Sequence, residues 1–288
     1  MNYLYCPDNQ LTSLDVTNNA ALIQLNCSGN QLIFLDVSQN TTLTDLVCNT
    51  NQLTSLNISQ NTALTDLACV DNQLTSLDLS NNAALTYLEF QTNQLTSLDV
   101  SQNTNLTFLN CINNQLTSLD VSNNTALTYL TCRFNQLTSL DVSQNTALTA
   151  LDCINNQLIN LDVRNGNNTN FNIFYSTFNS DLICIFVDDA DWSATNWINI
   201  DPTSTFVNDE AECDILSLVD NLLVLDVNIY PNPTANYLFI EGNKNPLAIS
   251  IYNLLGAEVI SESNTHKIDV SELSKGVYTV SYTHLRAH

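Results

Sequence analysis

The sequence repeats itself every 21 residues from residue 1 to about residue 168. The string NQLTSLDVS begins at Asn93, again at Asn114 and again at Asn135. Eight coils follow this period, starting at residues 1, 22, 43, 64, 85, 106, 127 and 148. A fixed period of this length is typical of a solenoid, in which each repeat buries its apolar residues only against its neighbours.

Each coil contains the same apolar spacing twice. In the sixth coil the two sets are Leu106, Leu109, Cys111 and Asn114, then Leu116, Leu119, Val121 and Asn124. The last two apolar residues of each set lie two positions apart, which indicates a strand. The Asn, Ser and Thr residues between the sets favour turns over helix interiors. The pattern therefore predicts a mainly β solenoid of two short strands per coil, paired in parallel between coils.

The strings LTFLNCINNQL and LTYLTCRFNQL begin at Leu106 and Leu127 and have the spacing L-x-x-L-x-C-x-x-N-x-L. This spacing resembles the leucine-rich repeat family in its short bacterial form. The resemblance covers residues 1–168 and implies a curved solenoid that binds ligands on its strand-lined face. The second half of each coil departs from the common form, because it looks like another strand rather than a helix, and this leaves the curvature open.

The charge of the chain excludes several partners. It has 29 acidic and 6 basic residues, a net charge of -23, and Arg133 is the single basic residue before Arg164. Nucleic acids and anionic membrane surfaces are bound by clustered positive charge, so neither is expected as a partner. No apolar run reaches the ~18 residues of a membrane span, so membrane insertion is not expected either.

Nine cysteines fall into two groups. Seven share one position of the 21-residue period, and Phe90 fills the remaining slot; they are Cys6, Cys27, Cys48, Cys69, Cys111, Cys132 and Cys153. Free Cys behaves as a small buried hydrophobe, and stacked strands are too far apart for a relaxed disulfide, so core packing is favoured over a metal site. Cys184 and Cys213 flank a segment without repeats. We expect residues 169–213 to cap the solenoid, with these two cysteines either bonded or buried as thiols.

Carboxylates also recur once per coil. The ladder consists of Asp15, Asp36, Asp78, Asp99, Asp120, Asp141 and Asp162, with Asn57 in one slot. Neighbours ~5 Å apart repel by about 1–3 kcal/mol, so something must offset the repulsion. Hydrogen bonds from hydroxyls such as Ser97, Ser118 and Ser122 are one account, and calcium shared between Asp78, Asp99, Asp120 and Asp141 is the other. The cluster Asp188, Asp189 and Asp191 allows the same two interpretations.

Catalytic groups are scarce. The three histidines, His266, His284 and His288, lie in the last 23 residues, so no Ser-His-Asp or Cys-His arrangement can form within the repeats. A carboxylate pair could in principle hydrolyse glycosides, but nearly every Asp of the array occupies a repeat position, which indicates architecture. We therefore expect no enzyme activity and no cofactor other than the calcium considered above.

The coils differ from one another on one strand. The first outward position of the first strand varies and brings Tyr87, Phe108 and Tyr129 side by side. Aromatic rows make good contact surfaces, although they also stabilise a sheet by cross-strand packing alone. The candidate binding face consists of Tyr87, Phe108, Tyr129, Glu89, Asn110, Arg133 and Phe134. We expect it to recognise a protein or a glycan.

The C-terminal residues alternate apolar and polar positions between Pro and Gly, which predicts a small antiparallel β-sandwich. They resemble the C-terminal sorting domain of the type IX secretion system. The resemblance rests on Tyr230, Pro231, Asn232, Pro233, Leu238, Ile240, Ile251, Tyr252, Gly256, Leu273, Gly276, Val277 and Tyr278. It implies interaction with that secretion machinery and export to the surface or medium of a Gram-negative cell. The final THLRAH departs from the family, which leaves the last strand in doubt.

These features divide the chain into a solenoid (1–168), a cap (169–213), a linker or short strand (214–226) and a sorting domain (227–288). The start MNYLYCPDNQ enters the repeat directly and lacks the features of a signal peptide, which indicates that upstream sequence is missing. The expected function is binding or adhesion at the cell surface. The alternatives are an accessory arm of a larger secreted enzyme and a passive surface spacer.

Overall fold

The computed structural model describes residues 1–223, 228–234, 236–241, 248–263 and 265–283. The chain divides into two compact units, Met1–Cys213 and Asp214–His288. Residues 224–226 of the predicted linker, residue 227 at the start of the predicted sorting domain and residues 284–288 of the terminal THLRAH lie outside the described residues. In the part of the chain that is described, no helix is long and apolar enough to cross a membrane.

The first unit consists mainly of short parallel strands. They are β1 (Tyr3–Tyr5), β2 (Gln24–Asn26), β3 (Asp45–Val47), β4 (Asp66–Ala68), β5 (Tyr87–Glu89), β6 (Phe108–Asn110), β7 (Tyr129–Thr131), β8 (Ser139–Asp141), β9 (Ala150–Asp152), β10 (Asn160–Asp162), β11 (Ile173–Tyr175), β12 (Cys184–Phe186) and β13 (Thr205–Val207). Strands β1 to β7, β9 and β11 form a nine-stranded sheet, and β8, β10, β12 and β13 form a four-stranded sheet. The predicted parallel solenoid of 21-residue coils is confirmed.

Alternation along each strand separates the core from the surface. In β5 the middle residue Leu88 is fully buried, while Tyr87 and Glu89 on either side are partly exposed. Leu88 pairs with Leu109 of the next coil, so that equivalent residues stack in register. Each buried Leu contributes roughly 1.5–3 kcal/mol, and the ladder repeats this contribution in every coil. Phe90 and the cysteines that share its position continue the same core, and these cysteines are free thiols.

The sequence predicts a regular strand in the second half of every coil, and most coils lack it. Regular strands occur there only as β8 and β10, whereas the first coils show the isolated bridges Asp15↔Asp36 and Asp36↔Asn57. The Asp side chain at this position accepts a hydrogen bond from the backbone N–H two residues later, both in coils with a regular strand and in coils without one. In the fifth coil, the Ser101 N–H donates to Asp99 Oδ1 at 2.9 Å.

The corner after each strand of the large sheet has one residue with a left-handed backbone. Asn113 has a φ of 55°, and in other coils Thr92 has 58° and Phe134 has 53°. Gly29 occupies the same position with a φ of 64°. The Asn that follows this residue then points inward, where its amide and oxygen bond the backbone of the corner. These buried Asn side chains satisfy corner backbone groups that no strand pairing reaches.

The cap continues the solenoid instead of closing it with a separate layer. Strand β11 extends the large sheet, and β12 and β13 extend the smaller one. A 3₁₀ turn (Asn168–Asn170) and helix α1 (Ala190–Asn196) connect them, and Asp189 caps α1 by accepting from the Trp192 N–H at 2.9 Å. Trp197 packs among Phe171, Phe174 and Phe206. A disulfide joins Cys184 and Cys213.

The segment 214–226 was predicted to be a linker or a short strand, and the short strand is wrong for residues 214–223. Residues Glu210–Leu223 form helix α2, which covers the first ten residues of the proposed 214–226 segment. Its sequence has apolar residues at helical spacing, with Ile215, Val219 and Leu222 separated by four and three positions. Directly before the first helical residue, Glu210, the Asp209 carboxylate accepts from the Glu212 N–H at 3.0 Å, as a helix cap does.

The second unit has two antiparallel sheets. One contains β14 (Asn228–Tyr230), β15 (Tyr237–Glu241) and β18 (Lys267–Asp269), and the other contains β16 (Ala248–Asn253), β17 (Glu258–Ser263) and β19 (Tyr278–Thr283). Leu238, Ile240 and Ile268 of the first sheet share one core with Ile249 and Ile251 of the second. The predicted small antiparallel sandwich is therefore confirmed for the described residues.

The candidate binding face

The nine-stranded sheet presents two outward columns of side chains. They come from the first and third residues of each strand, because successive residues of a strand point to opposite faces. We name this surface, with the corner residues that follow the strands, the variable face. Strands β5, β6 and β7 place Tyr87, Phe108 and Tyr129 in the first column, and β5 and β6 place Glu89 and Asn110 in the second.

The three aromatic rings form one continuous stack. The ring centroids of Tyr87 and Phe108 lie 4.4 Å apart with planes 10° from parallel. Those of Phe108 and Tyr129 lie 4.6 Å apart and 7° from parallel. All three side chains are half-buried. Both faces of Phe108 are therefore covered by its neighbours, and the stack offers ring edges and two phenol hydroxyls to the outside.

Glu89 interacts with Tyr87, the first ring of the stack. The Tyr87 hydroxyl hydrogen-bonds with the Glu89 carboxylate. Burial raises the pKa of Tyr87, and the bond to Glu89 and the negative charges of Glu89 and Asp66 raise it further. The phenol is therefore neutral at physiological pH and donates its hydrogen to the Glu89 carboxylate.

Arg133 lies at the corner after β7 and contacts both Asp152 and the Phe134 ring. Its Nη1 is 3.5 Å from Asp152 Oδ2, and its guanidinium carbon is 5.3 Å from the centroid of the Phe134 ring. Burial raises the pKa of Asp152, while the Ile154 N–H and the charge of Arg133 lower it. Arg133 is the single Lys or Arg among residues 1–163, and it is thus already paired with a carboxylate of the solenoid.

The seven predicted residues occupy three adjacent strands and the corner after the third. Asn110 is the least available of them, because its Oδ1 accepts from the Ile112 N–H at 3.3 Å. Phe134 is 44% exposed despite its left-handed backbone. Phe178 repeats that combination two coils further on, at 72% exposure and a φ of 61°, and it was not predicted.

Two acidic residues of the same face were also left out of the predicted site. Asp45 pairs with Asp66 in register, and Asp66 pairs with Tyr87. They therefore continue the aromatic column toward the N-terminus. The signal was present in the sequence, since the column of first outward residues contains both, but only its aromatic members were chosen.

The Asp ladder lies on the other half of the coils and is exposed. It borders a shallow groove of about 500 Å³ lined by residues that include Asp99, Asp120 and Asp141. Asp120 Oδ1 accepts from the Ser122 N–H at 2.9 Å, and hydrogen bonds with Ser122 lower the pKa of Asp120. Ser122 was an expected partner, whereas the hydrogen bonds described for these carboxylates do not include Ser97 or Ser118.

Metal-binding groups do not converge in the described residues. No group of three or more His, Cys, Asp or Glu side chains there is placed to hold a metal ion. In the acidic cluster of the cap, Asp188 accepts from the backbone N–H groups of Gly166 and Asn168 at 3.0 and 3.1 Å. Asp189 caps α1, as noted above. These carboxylates therefore hold the backbone of the cap in place.

The sorting-motif residues surround the turns of the second unit. Tyr230 ends β14, and both of the peptide bonds that precede Pro231 and Pro233 are cis. Gly256 has a φ of 78° in the turn between β16 and β17, where its N–H donates to the Asn253 carbonyl at 2.9 Å. The Tyr278 hydroxyl donates to the Ser274 carbonyl at 2.9 Å and so closes the turn that contains Gly276.

Comparison with known proteins gives separate results for the two units. Residues 228–286 match the family described as the secretion system C-terminal sorting domain. No curated protein matches the chain significantly. Among solved structures, a leucine-rich repeat protein of Leptospira interrogans is 23% identical with a TM-score of 0.50, over 64% of this chain and 48% of the other. That likeness shows the fold of the solenoid.

Two Listeria monocytogenes proteins are also similar. The functional domain of InlJ, which includes a cysteine ladder, is 32% identical with a TM-score of 0.43, over 72% of this chain and 57% of the other. An internalin (inlF) of strain 4b F2365 is 27% identical with a TM-score of 0.49, over 62% and 52%. The chain thus spans about half of the length of each of these three solved proteins. Residues 228–286 belong to the secretion system C-terminal sorting domain family, which directs a protein through type IX secretion to the cell surface or the medium, and the repeats before them form a leucine-rich repeat solenoid.

Proposed function

We propose that the solenoid is a non-catalytic recognition module that binds a protein partner through its variable face after export. The observation that carries the proposal is the stack of Tyr87, Phe108 and Tyr129 on the strand-lined side. Tyr and other aromatic residues are enriched at interfaces because they bring a large, rigid contact area at low entropic cost.

Sheet support alone does not account for this stack. The same position in coils two to four holds Gln24, Asp45 and Asp66, and those strands pair with the same register. A coil therefore closes without an aromatic residue there. The aromatic rings lie in three consecutive coils and remain half-exposed, which is the distribution expected of a contact patch.

The geometry of the stack supports a protein over a glycan. Sugar rings bind aromatic side chains by lying flat on an open ring face. Phe108, the middle ring, has no open face, because Tyr87 and Tyr129 cover both of its sides at 4.4 and 4.6 Å, so a sugar could lie flat only at the two ends of the stack. Ring edges and hydroxyl groups suit the side chains and backbone groups of a polypeptide, which can pack around the rim of the stack.

A screen with matched variants tests this function. The whole chain would be screened against displayed protein libraries and against a glycan array, alongside the variant Y87S/F108S/Y129S. The control T96S/T117S/T138S changes three exposed residues in the second halves of coils five to seven. We expect protein ligands whose binding is lost in the first variant and kept in the control, with circular dichroism unchanged in both. Binding that survives the first variant, or ligands found on the glycan array alone, would contradict the proposal.

A further inference from the structure

We infer that the protein partner presents a basic segment, with its Lys or Arg side chains seated against Asp45, Asp66 and Glu89 beside the aromatic stack. This inference rests on the proposed binding at the variable face and specifies the chemistry of what binds there. It follows from the arrangement of charge along the face, from the lack of an ion-pair partner for these carboxylates among the described residues, and from the face of the Tyr87 ring that Phe108 leaves uncovered.

The carboxylates form a row that leads into the stack. Asp45, Asp66 and Tyr87 are paired in register on β3, β4 and β5, and such strands lie ~4.8 Å apart. The Thr44 hydroxyl donates a hydrogen bond to the Asp45 carboxylate, and the Thr65 hydroxyl donates to Asp66 Oδ2 at 2.7 Å. An ionised carboxylate can accept about four hydrogen bonds, so both retain free acceptor positions toward the outside.

These carboxylates are not neutralised by the solenoid itself. The ion pairs found among the described residues join Arg133 to Asp152 and Arg164 to Asp162 and Glu210. None of them includes Asp45, Asp66 or Glu89. Like charges on adjacent strands repel each other, and a cationic side chain from outside would remove that repulsion while pairing with them.

The Tyr87 ring makes the site more suitable for a side-chain cation than for a metal ion. One face of the ring is covered by Phe108, and the other faces the strand of Asp66. A Lys ammonium or an Arg guanidinium binds an aromatic face within about 6 Å and can pair with a carboxylate at the same time. Calcium would require six to eight oxygen ligands, which this row does not assemble in the described part of the chain.

The test compares two variants that carry the same change in net charge. The variant D45N/D66N/E89Q neutralises the row on the variable face, and D99N/D120N/D141N neutralises three carboxylates on the other half of the coils. Randomised 12-residue peptides displayed on phage would be selected on the whole wild-type chain. Synthetic copies of the selected peptides would then be titrated against wild type, both charge variants and Y87S/F108S/Y129S at 50 and 300 mM NaCl.

We expect the selected peptides to be enriched in Lys and Arg and to bind D45N/D66N/E89Q at least tenfold more weakly. The control D99N/D120N/D141N should change their affinity less than threefold, and higher salt should weaken their binding to wild type. Neutral or acidic peptides that depend on the aromatic stack would overturn the basic segment and leave the proposed function standing. Peptides that bind Y87S/F108S/Y129S as well as wild type would overturn both. Equal losses in the two charge variants would show only a net-charge effect and would also overturn the inference.

Discussion

The side-chain oxygen of Asn114 accepts a hydrogen bond from the backbone N–H of Leu95, 3.1 Å away in the preceding coil. The amide of the same side chain donates to the carbonyls of Cys111 in its own coil and of Phe90 in the preceding one, at 3.3 and 3.2 Å. One Asn per coil therefore joins two neighbouring coils at a corner that strand pairing does not reach. This explains why the Asn is repeated with the leucines.

Replacing this residue should destabilise the solenoid strongly. In N114A the Leu95 N–H and the two carbonyls would remain buried without the side chain that bonds them. Each buried unsatisfied group costs about 1–3 kcal/mol, so we expect a loss of roughly 3 kcal/mol in the free energy of unfolding. The measurement is urea unfolding followed by circular dichroism. The control is N123A, an exposed Asn in the same coil, which should leave the midpoint nearly unchanged. Equal midpoints for N114A and wild type would contradict this role.

A substitution at the left-handed corner residue Thr92 is expected to increase the stability of the chain. Thr92 is β-branched and exposed and has a φ of 58°, whereas Asn113 holds the equivalent position in the next coil. A left-handed backbone costs an ordinary residue roughly 1–2 kcal/mol, and Asn tolerates it better. We therefore expect T92N to stabilise the chain by about 0.5–1 kcal/mol.

The matched comparison is Gly29, which has a φ of 64° at the same corner of the second coil. A Cβ added to Gly29 would lie 2.3 Å from Asp8 Oδ1, so G29A combines backbone strain with a steric clash. Thermal unfolding should give a higher midpoint for T92N and a lower one for G29A. A lower midpoint for T92N would show that the left-handed backbone of Thr92 does not reduce the stability of the chain.

The sequence supports the solenoid in detail because its information is periodic. A buried residue such as Leu88 recurs every coil, and eight repetitions define both the period and the alternation along the strand. The stacking of Tyr87 on Phe108 also follows, since residues 21 positions apart must be strand neighbours. The type IX sorting domain could be identified because its Pro and Gly positions fall in a fixed order.

Features that depend on the orientation of individual side chains could not be predicted in this way. The pairing of Arg133 with Asp152 joins different positions of two adjacent coils, so no column of equivalent residues contains it. Among the eight coils, the second half forms a regular strand only at β8 and β10, although its apolar spacing resembles that of the first half. Helix α2 was missed because the segment was interpreted as a linker or short strand, although its apolar residues have helical spacing.

The buried cysteines predict a loss of stability in alkaline solution. Burial raises the pKa of Cys69 and Cys111 to about 12, from an ordinary value of 9.0. Burial raises the pKa of Cys48 and Cys132 well above that value too. Since the folded state keeps these thiols protonated, the stability that they contribute is complete below pH ~9 and declines as the pH rises above it.

Each buried thiol should then lower the free energy of unfolding by about 1.4 kcal/mol per pH unit until the folded-state pKa is reached. Urea unfolding at pH 8 and pH 10, with the disulfide intact, measures this dependence. The variant C69A/C111A/C132A should reduce the slope in proportion to the thiols removed, although it is less stable at pH 8. A slope that is the same in the variant and in wild type would assign the alkaline loss to other groups.

The Asp ladder should tolerate neutralisation, because the chain already contains one neutral member. Asn57 Oδ1 accepts from the Ser59 N–H at 3.1 Å, just as Asp99 accepts from Ser101 at 2.9 Å. D99N/D120N/D141N therefore keeps the turn-forming hydrogen bonds and removes the repulsion between neighbouring carboxylates. Hydrogen bonds with Ser101 and Ser122 lower the pKa of Asp99 and Asp120 and so outweigh that repulsion, and we therefore expect the variant to melt slightly below wild type. Melting curves with and without 2 mM CaCl₂ separate the two accounts of the ladder. If calcium held these carboxylates together, it would stabilise wild type but not the variant, and the difference between their melting temperatures would widen in its presence.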